Sequence, residues 1–272
     1  MEKGVDNMHM GILRKRRTAF CIFITLCIIL CISVSADSSL HWYCKRTTDH
    51  TQPQMDANMQ WIKDYGGVYL DNSHTTQQED KVIYLTFDAG YENGNIERIL
   101  DVMQEQQVHG AFFILGNLIK RNPELVMRMS NEGHLVCNHT YTHKNITTMS
   151  AEELKTELKK LEDAYRALTG KPMDKYFRPP EGTFDHNSLK TIYENGYKTV
   201  FWSFAYADWD NHKQMNAESA KKKIFDNLHN GEIMLLHPTS QTNAEILCDV
   251  ICQLKAKGYR FGMLDEMNFE ES

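Results

Sequence analysis

The side chains best suited to chemistry follow short apolar segments that are typical of strands. Asp88 comes directly after residues 82–87, a run of aliphatic, β-branched and aromatic residues. Such a run predicts a strand buried on both faces, as in a parallel sheet or barrel. Barrel enzymes place catalytic groups at the C-terminal ends of their strands. Asp88 is therefore a candidate catalytic carboxylate, although this segment alone is equally compatible with a carboxylate that caps a turn.

A pair of histidines forms a second candidate site. His139 and His143 have the spacing that lets two imidazoles on a helical turn reach one divalent metal ion. A pair of this kind is more often structural when it stands alone. This pair follows the predicted strand 134–138, so it is expected at the same end of the sheet as Asp88.

Three further polar groups also follow predicted strands. Arg178 precedes two prolines that fix the backbone, which suits either pairing with a buried carboxylate or a rigid turn with a solvated arginine. Asp208 follows the predicted strand 198–203, and His237 follows the predicted strand 232–236. A lone histidine there is more often structural than catalytic. So many polar groups at strand ends seldom coincide by accident, and the pattern indicates an active site.

The chain from residue 81 onward alternates predicted strands with predicted helices. The strands are 82–87, 111–115, 134–138, 176–178, 198–203, 232–236 and 260–261. The helices are 95–106, 123–132, 151–168, 186–194, 217–228 and 244–257. This alternation predicts βα units around a parallel sheet. About seven strands in a chain of this length favour an α/β barrel.

Residues 1–36 have the composition of an export signal. A basic block at 14–17 precedes an uncharged apolar run at 19–34, which is the pattern of a signal peptide or signal anchor with its basic end inside. Residues 34–36 have the small-residue spacing of a cleavage site, whereas the apolar run is only slightly short for a membrane span. Cleavage and retention both stay open, and both place the remaining chain outside the cytoplasm.

The exported part is predicted to comprise a spacer and N-terminal flap, 37–80, and a catalytic domain, 81–272. The formal net charge of −6 and the lack of a basic stripe in the exported part argue against a nucleic-acid partner. Outside the apolar segment the cysteines are Cys44, Cys137, Cys248 and Cys252. They do not form a dense disulfide framework, and Cys137 is expected to be a buried strand thiol rather than a metal ligand.

Taken together, the motifs resemble those of the NodB-homology polysaccharide deacetylases, carbohydrate esterase family four. The matching segments are TFDAG, HTYTH, RPPEG, ADW and LLH, in the family's order between residues 81 and about 267. The extended GYENGN after Asp88 and the sequence WYCKRTTDHTQP at 42–53 are most similar to the branch that deacetylates N-acetylmuramic acid on the way to the muramic δ-lactam of spore cortex. The resemblance implies an α/β fold, a distorted (β/α)7 barrel, that hydrolyses an N-acetyl group on a wall glycan.

The resemblance also implies a role for each matching residue. Asp88 would be the general base, and Arg178 would orient it and keep it ionised. His237 would be the general acid, with Asp208 tuning its protonated form. The other matching residues would bind metal or substrate: His139 and His143 the metal, Trp209 and Leu235 the acetyl pocket, and Glu181, through its amide, the oxyanion.

Amide hydrolysis calls for these residue types independently of the resemblance. It needs a base for water, an electrophile for the carbonyl oxygen, and an acid for an amine that leaves poorly. Aspartate and histidine have ordinary pKa values of about 4 and 6.5, so one can be ionised while the other is protonated.

The sequence departs from the family pattern at two positions. Ala89 stands where the family typically has a second aspartate that ligates the metal, and Ala205 stands in place of the first aspartate of the fourth motif. Relatives in the muramic branch also tend to lack the metal-ligating aspartate. We therefore expect a divalent metal, zinc before other ions, that is held weakly by His139 and His143.

We predict an exported, metal-assisted enzyme that deacetylates N-acetylmuramic acid in the glycan strands of peptidoglycan. It would contact the membrane only through an uncleaved N-terminal segment. One alternative is an N-acetylglucosamine deacetylase of wall glycan or chitin, and another is a glycan-binding pseudoenzyme with a crippled metal site. The retained acid–base residues argue against the pseudoenzyme, because a binding module needs none of them.

Overall fold

The strands that position the candidate site belong to one curled sheet. In the computed structural model of the protein, residues 38–47, 49–75, 79–267 and 269 are described. The strands are β1 Leu40–His41, β2 Gly67–Val68, β3 Lys81–Ala89, β4 Ala111–Ile114, β5 Leu135–Asn138, β6 Asp174–Phe177, β7 Thr183–Phe184, β8 Lys198–Val200, β9 Glu232–Leu236 and β10 Tyr259–Phe261. The predicted export signal lies outside the described residues. Within those residues, none of the helices combines the length and the apolar character that a membrane crossing needs.

The main sheet is parallel and has the order β10-β3-β4-β5-β6-β8-β2, with β9 also paired to β3. The segment after β8 pairs with β9 through a parallel bridge between Phe204 and Met234. This bridge brings the two sides of the sheet together, so the sheet curls round towards closure. All seven predicted strands are present, which confirms the distorted βα barrel. A separate antiparallel pair, β1 with β7, lies outside this sheet.

The helices follow the strands in the predicted alternation. They are α1 Ile96–Glu105, α2 Gly116–Arg121, α3 Pro123–Asn131, α4 Ala151–Thr169, α5 His186–Glu194, α6 Ala217–Asp226 and α7 Gln241–Ala256. Short 3-10 helices cover Ala57–Tyr65, Ile146–Thr148, Pro180–Gly182 and Leu264–Glu266. The predicted helices are present with ends that differ by a few residues, and α4 begins at a capping box of Ser150 and Glu153.

Three details of the structure differ from the predicted strands and helices. Strand β2, which lies in the predicted spacer and flap, pairs with β8 in the main sheet. Strand β8 ends at Val200 rather than at residue 203, because Phe201 donates its backbone N–H to Val68 and Ser203 donates to Ile233, so the chain leaves β6 there. Helix α2 was missed, since six residues are too few to show an apolar period.

The N-terminal segment packs into the domain through aromatic side chains. Trp42 is buried, stacks on Phe201 with ring centroids 4.5 Å apart, and donates its indole N–H to the carbonyl of Trp202 over 2.9 Å. Trp202 lines the central cavity. Residues near 42 therefore form part of the wall behind the candidate site.

The C-terminal ends of four strands bring the chemical residues to one edge of the sheet. Asp88 lies near the end of β3, and the residues directly after β5, β6 and β9 are His139, Arg178 and His237. Because parallel strands all point the same way, these residues meet at the same end of the barrel.

Candidate active site

A cavity of about 700 Å³ opens at the C-terminal end of the barrel strands. The predicted site residues that line it are Asp88, His139, His143, Glu181, Trp209, Leu235 and His237. The other two, Arg178 and Asp208, are buried and each contacts one of these lining residues. All nine predicted residues therefore belong to one site.

The Asp88–Arg178 pair lies in the floor of this cavity. Arg178 Nη1 donates to Asp88 Oδ1 over 2.9 Å. The rest of the guanidinium is held by Thr86 Oγ1 at 2.9 Å, by the Val200 carbonyl at 2.9 Å and by the Phe201 carbonyl at 3.0 Å. Arg178 is completely buried, so its position is fixed by the barrel itself. It can hold one oxygen of Asp88 in a constant direction.

The net charge environment of Asp88 favours the ionised carboxylate. Burial alone would raise its pKa, but the charges of Arg178, His139 and His237 and the hydrogen bond from Arg178 lower it below its ordinary value. The Arg178 contact dominates this stabilisation. Asp88 is thus poised as a base whose second oxygen, Oδ2, faces the histidine pair at 3.5 Å from His139 Nε2.

His237 and Asp208 form the second charged pair. Asp208 Oδ1 lies 2.7 Å from His237 Nδ1, and Asp208 Oδ2 accepts the His237 backbone N–H over 2.8 Å and the Asn243 amide over 2.6 Å. Burial would lower the pKa of His237, but the hydrogen bond and charge of Asp208, together with Asp88, raise it. Asp208 accepts a proton-bearing Nδ1, so the free nitrogen of His237 is Nε2.

His139 is held in one tautomer. Its Nδ1 lies 2.7 Å from the Arg178 carbonyl oxygen, and a carbonyl can only accept, so Nδ1 carries the proton and Nε2 keeps its lone pair. Burial lowers the pKa of His139 to about 4, which favours the neutral ring. A neutral imidazole whose other nitrogen donates to a carbonyl is the usual form of a metal-ligating histidine.

The second histidine is close enough to share an ion with the first. The ring centroids of His139 and His143 are 5.0 Å apart, and zinc–nitrogen bonds of about 2.0–2.1 Å are compatible with two rings at this separation. Over the part of the chain that the structure describes, no three histidine, cysteine or acidic side chains are grouped to hold a metal. Ala89 packs in the hydrophobic core instead of lining the cavity. The donor set therefore fits a divalent ion with two imidazoles and no further protein ligand of these types.

The HTYTH segment is not the helical turn that the spacing suggested. Thr140 and His143 have positive φ values of 68° and 59°, and Glu181 in the neighbouring loop has 57°. Three of the five non-glycine residues with positive φ among the described residues are thus at this site. Such conformations cost of order 1–3 kcal/mol each and persist where surrounding contacts fix them, which is common at active sites.

Several supporting residues had no signal in the sequence. Thr86 accepts from Arg178 and donates to the Met234 carbonyl, and Asn243 bridges Asp208 to the His237 carbonyl. Gln214 donates to the Asp208 carbonyl and accepts from Ser240. Most of these contacts join residues far apart in the chain, as Thr86 with Arg178 and Asn243 with Asp208 do. A buried histidine–carboxylate pair does require a donor for the second carboxylate oxygen. The sequence does not show which amide or hydroxyl group supplies that donor.

A curled parallel barrel that carries an arginine-held carboxylate and a carboxylate-held histidine at one cavity defines a hydrolase with acid–base catalysis. The family model described as polysaccharide deacetylase matches residues 75–200. The chain belongs to this family, as the resemblance predicted. Its members hydrolyse amide-linked acetyl groups, so the predicted enzyme class is also confirmed.

Relatives and solved structures agree with this assignment. The chain is 40% identical over 239 residues, 85% of this chain and 87% of the relative, to the peptidoglycan-N-acetylmuramic acid deacetylase PdaA of Bacillus subtilis. The structure of B. subtilis PdaA, a family 4 carbohydrate esterase, matches with a TM-score of 0.81 and 38% identity, covering 87% of this chain and 99% of that one. A peptidoglycan-N-acetylglucosamine deacetylase of Bacillus cereus is 34% identical over 211 residues, 76% of this chain and 74% of the relative.

Proposed function

We propose that the protein removes the N-acetyl group from N-acetylmuramic acid residues of peptidoglycan. The observation that carries the reaction is the pair of oppositely tuned groups at one cavity, Asp88 with its pKa lowered and His237 with its pKa raised. The choice of sugar is supported by the high identity to the muramic acid deacetylase over most of both chains. The assigned site residues keep the roles that the family resemblance implies.

Asp88 acts as the general base. Its Oδ1 is occupied by Arg178, so Oδ2 is the oxygen that takes a proton from the attacking water. The water oxygen bonds to the acetyl carbonyl carbon and gives a tetrahedral intermediate. Because Arg178 holds the pKa of Asp88 down, the base is ionised well below neutral pH.

His237 acts as the general acid. It donates the Nε2 proton to the amine nitrogen as the carbon–nitrogen bond breaks, so acetate and a free amine leave. Asp208 stabilises the protonated imidazole through Nδ1. The shifts of Asp88 and His237 widen the pH range in which the base is deprotonated while the acid is protonated.

Three residues at the cavity wall bind the acetyl group. Leu235 and Trp209 give apolar surface for the methyl group, and the Glu181 amide donates to the developing oxyanion. Glu181 is held in the left-handed region by the prolines before it and by Gly182 after it, with φ of 57° and 64° at the two residues. This fixed turn gives the Glu181 amide one direction.

A divalent metal is the cofactor that this site would take. His139, through Nε2, and His143 would hold it, and when bound it would polarise the acetyl oxygen. With only two imidazoles and Ala89 in the core, we propose that zinc or a similar ion binds weakly and exchanges readily. Calorimetric titration of zinc into the protein and into His139→Ala tests this. Tight, chelator-resistant zinc in the unaltered protein would contradict it, as would full metal-free activity in His139→Ala.

The deacetylated sugar can react further in the cell wall. A free amine on muramic acid lies next to the lactyl carboxyl of the same sugar, and loss of water between them closes a six-membered lactam. We propose that the deacetylated sugar is the precursor of muramic δ-lactam in spore cortex. The enzyme would act outside the cytoplasm, either secreted or held at the membrane by its N-terminal segment.

Mass spectrometry of digested peptidoglycan tests the proposal. After incubation with the enzyme, muropeptides should lose one acetyl group from muramic acid, and lactam should follow if a cyclising activity is added. The similarity to an N-acetylglucosamine deacetylase makes free glucosamine the competing product. Free glucosamine alone would overturn the sugar assignment, and no mass change would favour a glycan-binding protein.

A further inference from the structure

Two exposed aromatic side chains stand at the rim of the catalytic cavity. Trp209 is 60% exposed and Tyr91 is 45% exposed, and both line the cavity. The other large hydrophobic side chains this exposed among the described residues, Tyr43 and Tyr193, do not line it. Leaving large rings in water is unfavourable, so their position at a binding cavity indicates that a ligand covers them.

A hydrogen bond joins the two loops that carry these rings. The Asn211 side-chain amide donates to the Tyr91 phenol oxygen over 2.9 Å. Because the phenol oxygen accepts this bond, the hydroxyl proton of Tyr91 is left to donate elsewhere. Tyr91 therefore offers both an apolar ring face and a directed donor, which are the two features that bind a pyranose ring with its hydroxyl groups.

Both loops are tied to the segment that follows His237. Asn93 and Asn95 donate their side-chain amides to the Thr239 carbonyl over 2.8 and 3.1 Å. Gln214 joins the other loop to Ser240 over 2.5 Å. The rim is thus fixed before a ligand arrives, which lowers the entropy that binding must overcome.

The exposure of the side chains marks the open side of the cavity. The side chain of Asp88 is 11% exposed and that of His237 is 24% exposed, whereas Tyr91 is 45% and Trp209 is 60% exposed. Tyr91 and Trp209 therefore lie where the cavity opens to solvent. A glycan strand whose acetyl group reaches Asp88 and His237 would continue out of the cavity past these rings.

We propose that Tyr91 is a specificity residue for polymeric substrate, binding the sugar next to the one that is deacetylated. Its ring packs against that pyranose and its hydroxyl donates to a sugar oxygen, with Asn211 setting the direction of the hydroxyl. This inference rests on the proposed function for the polymer, a peptidoglycan glycan strand, but not on which of its sugars loses acetate.

Kinetics on two substrates test the proposal. Tyr91→Ala should lower kcat/KM for purified glycan strands at least about tenfold, mainly through KM, because truncating an aromatic anchor typically removes a large share of binding. It should leave hydrolysis of 4-nitrophenyl acetate, which has no second sugar, close to that of the unaltered enzyme. Tyr193→Ala is the matched control and should change neither substrate. Equal effects of Tyr91→Ala on both substrates, or none on either, would overturn the inference.

The hydroxyl and its partner are tested separately. Tyr91→Phe and Asn211→Ala should each weaken glycan use by a smaller factor, and the double variant should be no worse than either one, because both remove the same bond. Additive losses would contradict the assigned role of Asn211.

A binding measurement separates this inference from the proposed function. Cosedimentation with insoluble peptidoglycan is compared for His237→Gln with and without Tyr91→Ala, so no turnover is needed. Weaker binding of the double variant supports the inference even if the released amine proves to be glucosamine. Unchanged binding, with muramic acid still deacetylated by the unaltered enzyme, would overturn the inference alone.

Discussion

Two histidine–carboxylate pairs lie at opposite ends of strand β9, and they differ in charge. His237 follows the strand and pairs with Asp208 over 2.7 Å. Glu232 begins the strand, and its Oε2 lies 3.4 Å from His229 Nδ1. All four residues are largely buried, yet the pKa of His237 is raised, whereas that of His229 is lowered to about 4 by burial. Proximity alone therefore does not make an ion pair.

The number of donors to each carboxylate explains the difference. Asp208 accepts from the His237 ring, the His237 backbone and Asn243. Among the residues that the structure describes, Glu232 accepts one hydrogen bond, from the His229 backbone N–H over 3.2 Å, and its Oε1 has no partner.

The His229 ring is committed elsewhere. Its Nδ1 donates to the Asn227 carbonyl, and its Nε2 accepts from Ser203. Burial then raises the pKa of Glu232 well above its ordinary value. We call His237 with Asp208 the upper pair and His229 with Glu232 the lower pair. The surroundings favour the charged form of His237 in the upper pair and disfavour the charged forms of both residues in the lower pair. The upper carboxylate has three protein donors, whereas the lower one has a single backbone donor.

Replacing the histidine in each pair should give the largest difference in turnover between the two pairs. His237→Gln removes the general acid and should lower turnover by about 10²–10⁴-fold without unfolding the domain. His229→Gln should leave turnover within a small factor but lower the melting temperature, since it disturbs only buried polar contacts. Steady-state kinetics and thermal unfolding of both variants check this. Normal turnover in His237→Gln would show that His237 is not the general acid.

Asp88→Asn should lower turnover in the same way as His237→Gln.

The Asp88–Arg178 pair is the third buried pair, and Arg178→Lys tests whether its geometry matters as well as its charge. An ammonium cannot reproduce the fork that contacts Asp88, Thr86 and Val200 together. We expect a loss of about a hundredfold, the size associated with a small misplacement of a catalytic group. The pKa of Asp88 should rise, so the acidic limb of the pH–rate profile moves to higher pH. Arg260→Lys, on the surface, is the control, and equal activity in both variants would make Arg178 a turn residue.

Asp208→Asn should make the upper pair resemble the lower one. Asp208 raises the pKa of His237, so its neutralisation lowers that pKa. The alkaline limb of the pH–rate profile, where the acid loses its proton, should move to lower pH. Turnover at neutral pH should fall roughly tenfold for each unit of that shift. Asp210→Asn alters a partly exposed carboxylate of the same loop and should leave the profile in place. An unmoved alkaline limb in Asp208→Asn would show that His237 is not the titrating acid.

The sequence predicts those parts of the site whose signal lies in consecutive residues. A buried parallel strand must be apolar along its length, so the first polar residue after it marks the end of the barrel where Asp88, His139 and His237 meet. This local signal correctly placed His139 and His237 directly after β5 and β9 and Asp88 near the end of β3, whereas Asp208 lies well beyond Val200, where β8 ends. It also gave seven strands and therefore the fold class.

The parts that were not predictable depend on contacts across the chain. Asn243 lies 35 residues from Asp208, and Thr86 lies 92 residues from Arg178, so neither pairing has a sequence period. Strand β2 has only two residues, too few for alternation to show. Glu232 looks like the polar start of a strand, and only the packing around it shows that it is fully buried.

Glu232→Gln gives the smallest expected effect. In the folded protein burial keeps this carboxyl protonated, whereas in the unfolded chain it ionises above its ordinary pKa of 4.5. The folded pKa is the raised one, so the stability contributed by protonated Glu232 is complete below pH 4.5 and is lost as pH rises towards the folded pKa.

A glutamine at this position does not titrate, so the variant should lose this pH dependence. The free energy of unfolding of Glu232→Gln, relative to the unaltered protein, should grow by about 1.4 kcal/mol per pH unit above the unfolded pKa until the folded carboxyl itself ionises. Other buried groups, such as His229, titrate in both proteins and cancel in the difference. Chemical denaturation at pH 5, 6 and 7 measures it, with Glu245→Gln as the exposed control. A difference that stays constant with pH would mean that Glu232 is ionised in the folded protein. Turnover should be unchanged at every pH, because the lower pair takes no part in the reaction.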